Sequence, residues 1–262
     1  MGEALVGGVL AAGWASPAEV VVSEASPERR AQLAGPEGLA SRYPGLVVVG
    51  GDDLPEAEGC VVAVKPPDVG PVCRRLAERG APRVLSVAAG VRLADLESWC
   101  GPSAAVLRAM PNTAALVGAA ATALAPGQRA TGEDRRWAMA VLSSVGTVVE
   151  LAEQHLDAVT GLAGSGPAYL LLVAEAMTEA GVLVGLARPV AAGLVAQTLL
   201  GTARLLSESG QGPEALRAGV TSPAGTTAAG LRQLEAAGVR SAFLEAVVAA
   251  TERSRQLGGP DR

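Results

Sequence analysis

Short β-branched runs punctuate the first 150 residues: Glu19-Val20-Val21-Val22, Leu46-Val47-Val48-Val49, Cys60-Val61-Val62-Ala63-Val64, Arg83-Val84-Leu85-Ser86-Val87 and Ala105-Val106-Leu107. Each is bounded by Gly, Pro or charge and is apolar nearly throughout, as a strand buried on both faces of a parallel sheet must be. Helix-compatible stretches lie between several of them, including residues 71–79 and 93–99. This alternation predicts an α/β fold with a doubly wound, mostly parallel sheet, whose ligands bind beyond the carboxyl ends of the strands. After Ala121-Thr122-Ala123-Leu124, residues 132–144 predict a helix and Gly146-Thr147-Val148-Val149-Glu150 a last strand.

From about residue 154 the texture changes to long helical patterns without a convincing strand. Residues 167–186 and 189–206 are apolar on most faces, with Pro189 placed to open a helix. A helix apolar nearly all round must be buried on more than one side. A second part of roughly 110 residues struggles to cover two of them. The expected cover is a second copy in a two-fold dimer, with a packed monomeric bundle as the alternative. The division expected is therefore 1–151 for the sheet domain and 152–262 for an all-α domain, with 258–262 as a frayed tail.

Composition narrows the chemistry. The net charge of −5 offers nothing to nucleic acid or to an anionic membrane. No apolar run is expected to reach the roughly 18 residues of a membrane span, and no signal-peptide pattern opens the chain, so a cytoplasmic protein is expected. Cys60, Cys73 and Cys100 fit no metal or redox spacing and are expected as free thiols. With His155 as the only histidine, a zinc site or a Ser-His-Asp triad would need unusual substitutes, and no metal is expected. The 21 basic residues include a single lysine, Lys65. An ammonium is a compact point donor where guanidinium is a wide fork, so a lysine kept in such a background suggests a role arginine cannot fill.

The chain opens on Met1-Gly2-Glu3-Ala4-Leu5 and reads as a helix up to a stop at Gly13. Dinucleotide-binding sheets normally place a strand and a Gly-x-Gly-x-x-Gly turn ahead of that helix. Here the first strand is missing and Gly2 stands where the last glycine of the fingerprint would be. Two explanations compete: a start recorded about ten residues late, roughly a short strand and its turn, or a protein that binds cofactor poorly. The first is expected, because omitting a central strand would expose its neighbours' edges.

Three strand ends carry motifs: Ala63-Val64-Lys65-Pro66, Ser86-Val87-Ala88-Ala89-Gly90, and Arg108-Ala109-Met110-Pro111-Asn112-Thr113-Ala114. The second half holds Gly164-Ser165-Gly166-Pro167-Ala168-Tyr169 and Thr221-Ser222-Pro223-Ala224-Gly225-Thr226-Thr227. Together these runs resemble the pyrroline-5-carboxylate reductases over nearly the whole chain, most densely from Asp157 to Thr227. The chain departs from the family pattern at Ala114, where the family has Pro, and at Ala224, where it has Gly. The second departure matters if that position needs positive φ.

The resemblance implies a Rossmann-like domain followed by a helical dimerisation domain, and reduction of 1-pyrroline-5-carboxylate to L-proline. It assigns cofactor contact to Gly2, Ser26, Ala63, Val64, Lys65, Pro66, Val87, Ala88, Ala89 and Asn112. Gly225, Thr226 and Thr227 would meet the substrate, whose carboxylate suits free N–H groups at a helix start, and Glu153 would lie near its ring. Thr227 is the catalytic candidate, its hydroxyl hydrogen-bonded to the imine nitrogen. The Gly164-Ser165-Gly166 loop would close over the site. The family also implies a homodimer through the helical domain, with rings of dimers beyond it. At the adenosine end, Ser26, Arg29 and Arg30 suit a 2′-phosphate while Glu24 suits a free ribose; family habit favours NADPH, with NADH as the alternative. Two rival functions are a reductase of another cyclic imine and a catalytically impaired dimeric paralogue.

Overall fold

The computed structural model describes residues 1–259; the remainder of the tail expected at 258–262 lies outside the described residues. The chain forms two compact units, Met1–Ser165 together with the chain from Ala249 on, and Gly166–Val248. The first unit thus runs past the expected boundary at 151/152 and takes in the end of the last helix.

The first unit holds seven strands in two sheets. β1 (Val21–Glu24) pairs parallel with β2 (Val47–Gly50). The second sheet has the order β3-β4-β5-β6-β7, formed by Cys60–Val62, Arg83–Ser86, Ala105–Met110, Ala120–Pro126 and Gly146–Glu150. β3, β4 and β5 are parallel, β6 runs antiparallel to β5, and β7 is parallel to β6. Val62, Ser86 and Arg108 stand side by side in the register, so the three motif-bearing strand ends share one crest. The helices of this part are α1 (Gly2–Ala11), α2 (Pro27–Ala34), α3 (Leu39–Arg42), α4 (Pro66–Glu78), α5 (Leu93–Cys100), α6 (Gly132–Ser143) and α7 (Leu156–Val159).

The expected absence of a first strand has a visible counterpart. β1 and β3 each have a strand neighbour on one side only, and the sheet is split between them. α1 spans the split: Leu5 and Val9 pack into the core over the larger sheet, and Leu10 into the core over β1 and β2. The helix ends as expected at Gly13, whose φ is +66°. Gly13 N–H donates to Leu10 O and Trp14 N–H to Val9 O, each at 3.1 Å, the paired bonds that close a helix through a left-handed glycine.

Two boundaries differ from the sequence reading. The strand expected at 19–22 starts at Val21, because Pro17–Glu19 forms a 3₁₀ turn capped by Ser16. The helix expected from Pro71 starts at Pro66, since Pro66 and Pro67 occupy first-turn positions that need no N–H donor. Between α4 and α5, Cys73 and Cys100 are buried and unbridged. The hydrogen bond to Cys100 and then burial hold the Cys73 thiol far above the ordinary thiol range. β7 opens at Gly146, with φ +151°; a Cβ there would lie 2.1 Å from Ala120 O and 2.3 Å from Ala120 N.

The second unit consists of α8 (Gly166–Leu183), α9 (Arg188–Glu208), α10 (Pro213–Gly219), α11 (Thr226–Ala236) and most of α12 (Val239–Leu257). Among its described residues only Ala191 and Val195 are buried, while Leu171, Leu183, Leu194 and Leu244 are more than half exposed. The expectation that no apolar stretch is long enough for a membrane fails among the described residues. The helical stretches Glu153–Leu183 and Arg188–Glu208 are each long and apolar enough, by length and composition only, and little of either is buried. The charges that break these stretches in the sequence are too few per 18 residues to exclude them. The Gly164-Ser165-Gly166 run is also not a loop. The chain stays helical through a π-turn at Thr160–Gly164, closed by Ser165 N–H donating to Thr160 O at 2.8 Å, and continues as α8.

Candidate functional site

Along the crest of the first unit, small residues leave room for a flat ligand. Ala63, Val64 and Lys65 link β3 to α4, with Lys65 as the N-cap and Pro66 as the first helical residue. The Lys65 side chain is exposed and has no hydrogen-bond or ion-pair partner among the described residues. Val87, Ala88 and Ala89 follow β4; Val87 N–H donates to Val62 O at 3.0 Å, and Ser86 Oγ accepts from Ala88 N–H at 3.3 Å. Gly2 stands at the start of α1, where a Cβ would come within 3.2 Å of Ala63 Cβ. That close helix-to-strand approach is what the last glycine of a dinucleotide fingerprint provides.

Asn112 follows β5, and both its amide oxygen and its amide nitrogen are engaged. Its Oδ1 accepts from Ala114 N–H at 3.2 Å and Ala121 N–H at 3.3 Å, and its Nδ2 donates to Ala163 O at 3.1 Å. It therefore ties the crest to the π-turn, and any contact with a ligand must be made beside these bonds. Met110 packs on the same turn: a Cβ at Gly164 would lie 2.8 Å from its Cε. A π-turn held in this way is a local irregularity of the kind concentrated at functional sites.

Glu153 sits three residues past β7, and its Oε1 accepts from Leu93 N–H at 2.6 Å and from Arg108 Nη1 at 2.8 Å. The first bond satisfies a free N–H at the start of α5. The second neutralises Arg108, whose side chain is only 8% exposed. Arg108 is the residue that the sequence reading passed over as an anchor. A lone charge within the apolar run 105–110 was the available signal, because a buried charge demands a partner.

At the turn where the adenosine end is expected, Ser26 caps α2, its Oγ accepting from Arg29 N–H at 3.2 Å. Glu24 Oε1 accepts from Ser26 N–H at 2.9 Å. Arg30 Nη1 donates to Glu24 O at 2.8 Å and Ala25 O at 2.9 Å. Arg29 pairs with Glu3 of α1 and donates to Gln32 Oε1 at 2.8 Å. A polar turn at a helix start with two guanidinium groups fits the phosphate of a dinucleotide.

In the second unit, α11 begins at Thr226, with Gly225 as N-cap and no capping side chain. Gly225 N–H is already engaged with Ser222 O at 3.1 Å, so it is not the donor the sequence suggested. The N–H groups of Thr226, Thr227 and Ala228 have no partner in the described structure, and the hydroxyls of Thr226 and Thr227 have none either. An eleven-residue helix thus presents free donors and two hydroxyls at its positive end. Gly225 is required by space: a Cβ would lie 2.3 Å from Ser222 Oγ. Ala224 has φ +57° and is the only non-glycine residue with positive φ among those described. An L-residue there costs about 1–2 kcal/mol, partly offset by the greater chain entropy of glycine. Ala224→Gly is therefore expected to stabilise the protein by about 0.5–1 kcal/mol, read as a rise in thermal midpoint.

The sequence model of pyrroline-5-carboxylate reductase dimerisation matches residues 153–257, and that of the coenzyme F420-dependent NADP oxidoreductases matches residues 1–90. A pyrroline-5-carboxylate reductase of Methanosarcina acetivorans is 41% identical over 260 residues, covering 98% of this chain and 94% of its own length. One of Mycobacterium tuberculosis is 43% identical over 282 residues, covering 98% and 93%. Among solved structures, a pyrroline-5-carboxylate reductase of Coxiella burnetii superposes with TM-score 0.87 at 31% identity, covering 98% of this chain and 95% of that one. A pyrroline carboxylate reductase of Plasmodium falciparum with NADP bound gives TM-score 0.82 at 26% identity, covering 99% and 95%.

Proposed function

The chain belongs to the pyrroline-5-carboxylate reductase family, and from that premise we propose how its residues share the work. The protein is an NAD(P)H-dependent reductase that converts 1-pyrroline-5-carboxylate to L-proline, the last step of proline synthesis. The observation that carries this reading is likeness across 98% of the chain to reductases more than 40% identical to it.

The nicotinamide cofactor supplies the hydride; the protein supplies positioning, charge complementarity and a proton-bearing environment. Gly2 lets α1 approach the crest closely. Ala63, Val64, Pro66, Val87, Ala88 and Ala89 give the nicotinamide half of the cofactor a smooth bed, and the free ammonium of Lys65 hydrogen-bonds a ribose hydroxyl. Asn112 holds the bed in register through its three backbone bonds. Ser26 and its neighbours take the adenosine end.

The N–H groups of Thr226 and Thr227 receive the substrate carboxylate, at the positive end of α11. The Thr227 hydroxyl hydrogen-bonds the ring nitrogen, favouring its protonated form, which is the one that accepts hydride at carbon. Water or bulk acid resupplies the proton. Both groups come from one helical turn, so carboxylate and nitrogen are held at a fixed spacing. In our reading the domains are 1–151 for cofactor and 152–262 for substrate binding and dimerisation, and a second copy covers the exposed faces of α8 and α9. Further assembly into a ring of dimers would follow family habit. Three unbridged cysteines suit a reducing compartment, and we place the reaction in the cytoplasm.

The test of the activity is oxidation of NADPH on addition of pyrroline-5-carboxylate, with a six-membered cyclic imine as comparison. No oxidation, or a preference for the larger ring, would remove the assignment. Glu153 can be tested separately. Its Oε1 is committed to Arg108 and Leu93, leaving Oε2 for the substrate. Glu153→Gln is expected to lower stability by about 1–2 kcal/mol, because Arg108 loses its counter-charge. A rise in substrate KM beyond the change in thermal midpoint would show that Oε2 also serves the ring.

A further inference from the structure

We propose that Glu3 sets the balance between NADPH and NADH by competing with the 2′-phosphate for Arg29. This rests on the nucleotide reading above. In a doubly wound nucleotide site an acidic residue after the second strand holds the ribose hydroxyls, and a nearby arginine holds a 2′-phosphate. This chain has both residue types there, and each is already engaged. The Glu24 carboxylate accepts from Ser26 N–H at 2.9 Å. Arg30 is turned onto the carbonyls of Glu24 and Ala25, at 2.8 and 2.9 Å, where it fixes the turn. Arg29 is different: its guanidinium pairs with Glu3, a carboxylate from another helix, and donates to Gln32 Oε1 at 2.8 Å.

Glu3 is thus a built-in anion at the arginine best placed for a 2′-phosphate. Both side chains are accessible, Arg29 at 43% and Glu3 at 42%, so a ligand can reach the pair. A phosphate carries a charge near −2 and three strong acceptor oxygens, and it matches the guanidinium fork better than one carboxylate oxygen does. To bind there it must displace Glu3 or lie beside it against like charge. NADH has a hydroxyl at that position and makes no such demand. Glu3 also stands in the first turn of α1, where the pyrophosphate of either cofactor would bind. Any repulsion there falls on both cofactors alike, so the affinity ratio isolates the contest at Arg29.

The experiment is fluorescence titration of NADPH and NADH, without substrate, into the wild type, Glu3→Gln, Arg29→Gln and the double variant. Ligand-free melting curves confirm that each is folded, with Glu3→Ser as a second variant at the same position. Glu3→Gln is expected to raise the NADPH-to-NADH affinity ratio roughly two- to fivefold, the range of an exposed ion pair. Arg29→Gln is expected to lower it roughly tenfold, and Glu3→Gln should then have no further effect. An unchanged ratio in Glu3→Gln, or the same rise with Arg29 absent, overturns the proposal. Failure of the wild type to bind either dinucleotide would instead overturn the nucleotide reading beneath it.

Discussion

Replacing Thr227 by alanine is expected to lower kcat roughly 10- to 100-fold, the worth of one hydrogen bond to a charged group, while the dissociation constant for NADPH stays within about twofold. The hydroxyl has no partner among the described residues, so no internal bond is lost with it. Its neighbours on α11 keep their N–H groups, so the carboxylate is still held and KM changes less than kcat. What is lost is the bond that the protonated ring nitrogen donates to this hydroxyl, and with it the support for the form that takes up hydride. Thr227→Ser should recover most of the activity, because it restores the hydroxyl. Unchanged kcat in Thr227→Ala would take this residue out of the reaction.

Gly146→Ala is expected to cost at least about 3 kcal/mol of stability. The added Cβ would lie 2.1 Å from a carbonyl oxygen and 2.3 Å from an amide nitrogen of Ala120. Those are backbone atoms of the neighbouring strand, held by the register of Ala120 against Gly146. They cannot swing aside as a side chain would. The φ of +151° adds strain for any L-residue. The checks are the thermal midpoint and the soluble yield; a loss under 1 kcal/mol, about a third of that expected, would mean that the β6–β7 ladder slides more freely than its pairing suggests.

The strands β1 to β5 and β7 were legible because each lies in a short run rich in Val or Leu, although of these only β4 and β5 are buried along most of their length. β6, Ala120–Pro126, is mostly alanine, which carries little strand signal, and it takes its conformation from its two neighbours. Pro66 and Pro67 looked like a turn, yet the same fixed φ that makes a turn also opens a helix. The Gly164-Ser165-Gly166 run looked like a loop by composition, but Asn112 and Met110 hold that stretch in a wide helical turn. The family motifs located the crest and the start of α11 from residue types alone. The pairs Arg108–Glu153, 45 residues apart, and Glu3–Arg29, 26 apart, could not be read in advance. Local patterns carry no information about which distant charge will arrive, and α1 had to fold across the split sheet before Glu3 could meet Arg29.

The solitary lysine has a practical consequence. Because Lys65 is exposed at the head of α4 and no other lysine exists, an amine-directed acylating dye, used at a pH where the N-terminal amine has first been blocked, would decorate one side chain, next to the proposed cofactor bed. Such a dye would serve as a distance ruler for nucleotide docking without any engineered attachment point, and coupling the enzyme to a bead by the same chemistry would block the very surface it needs.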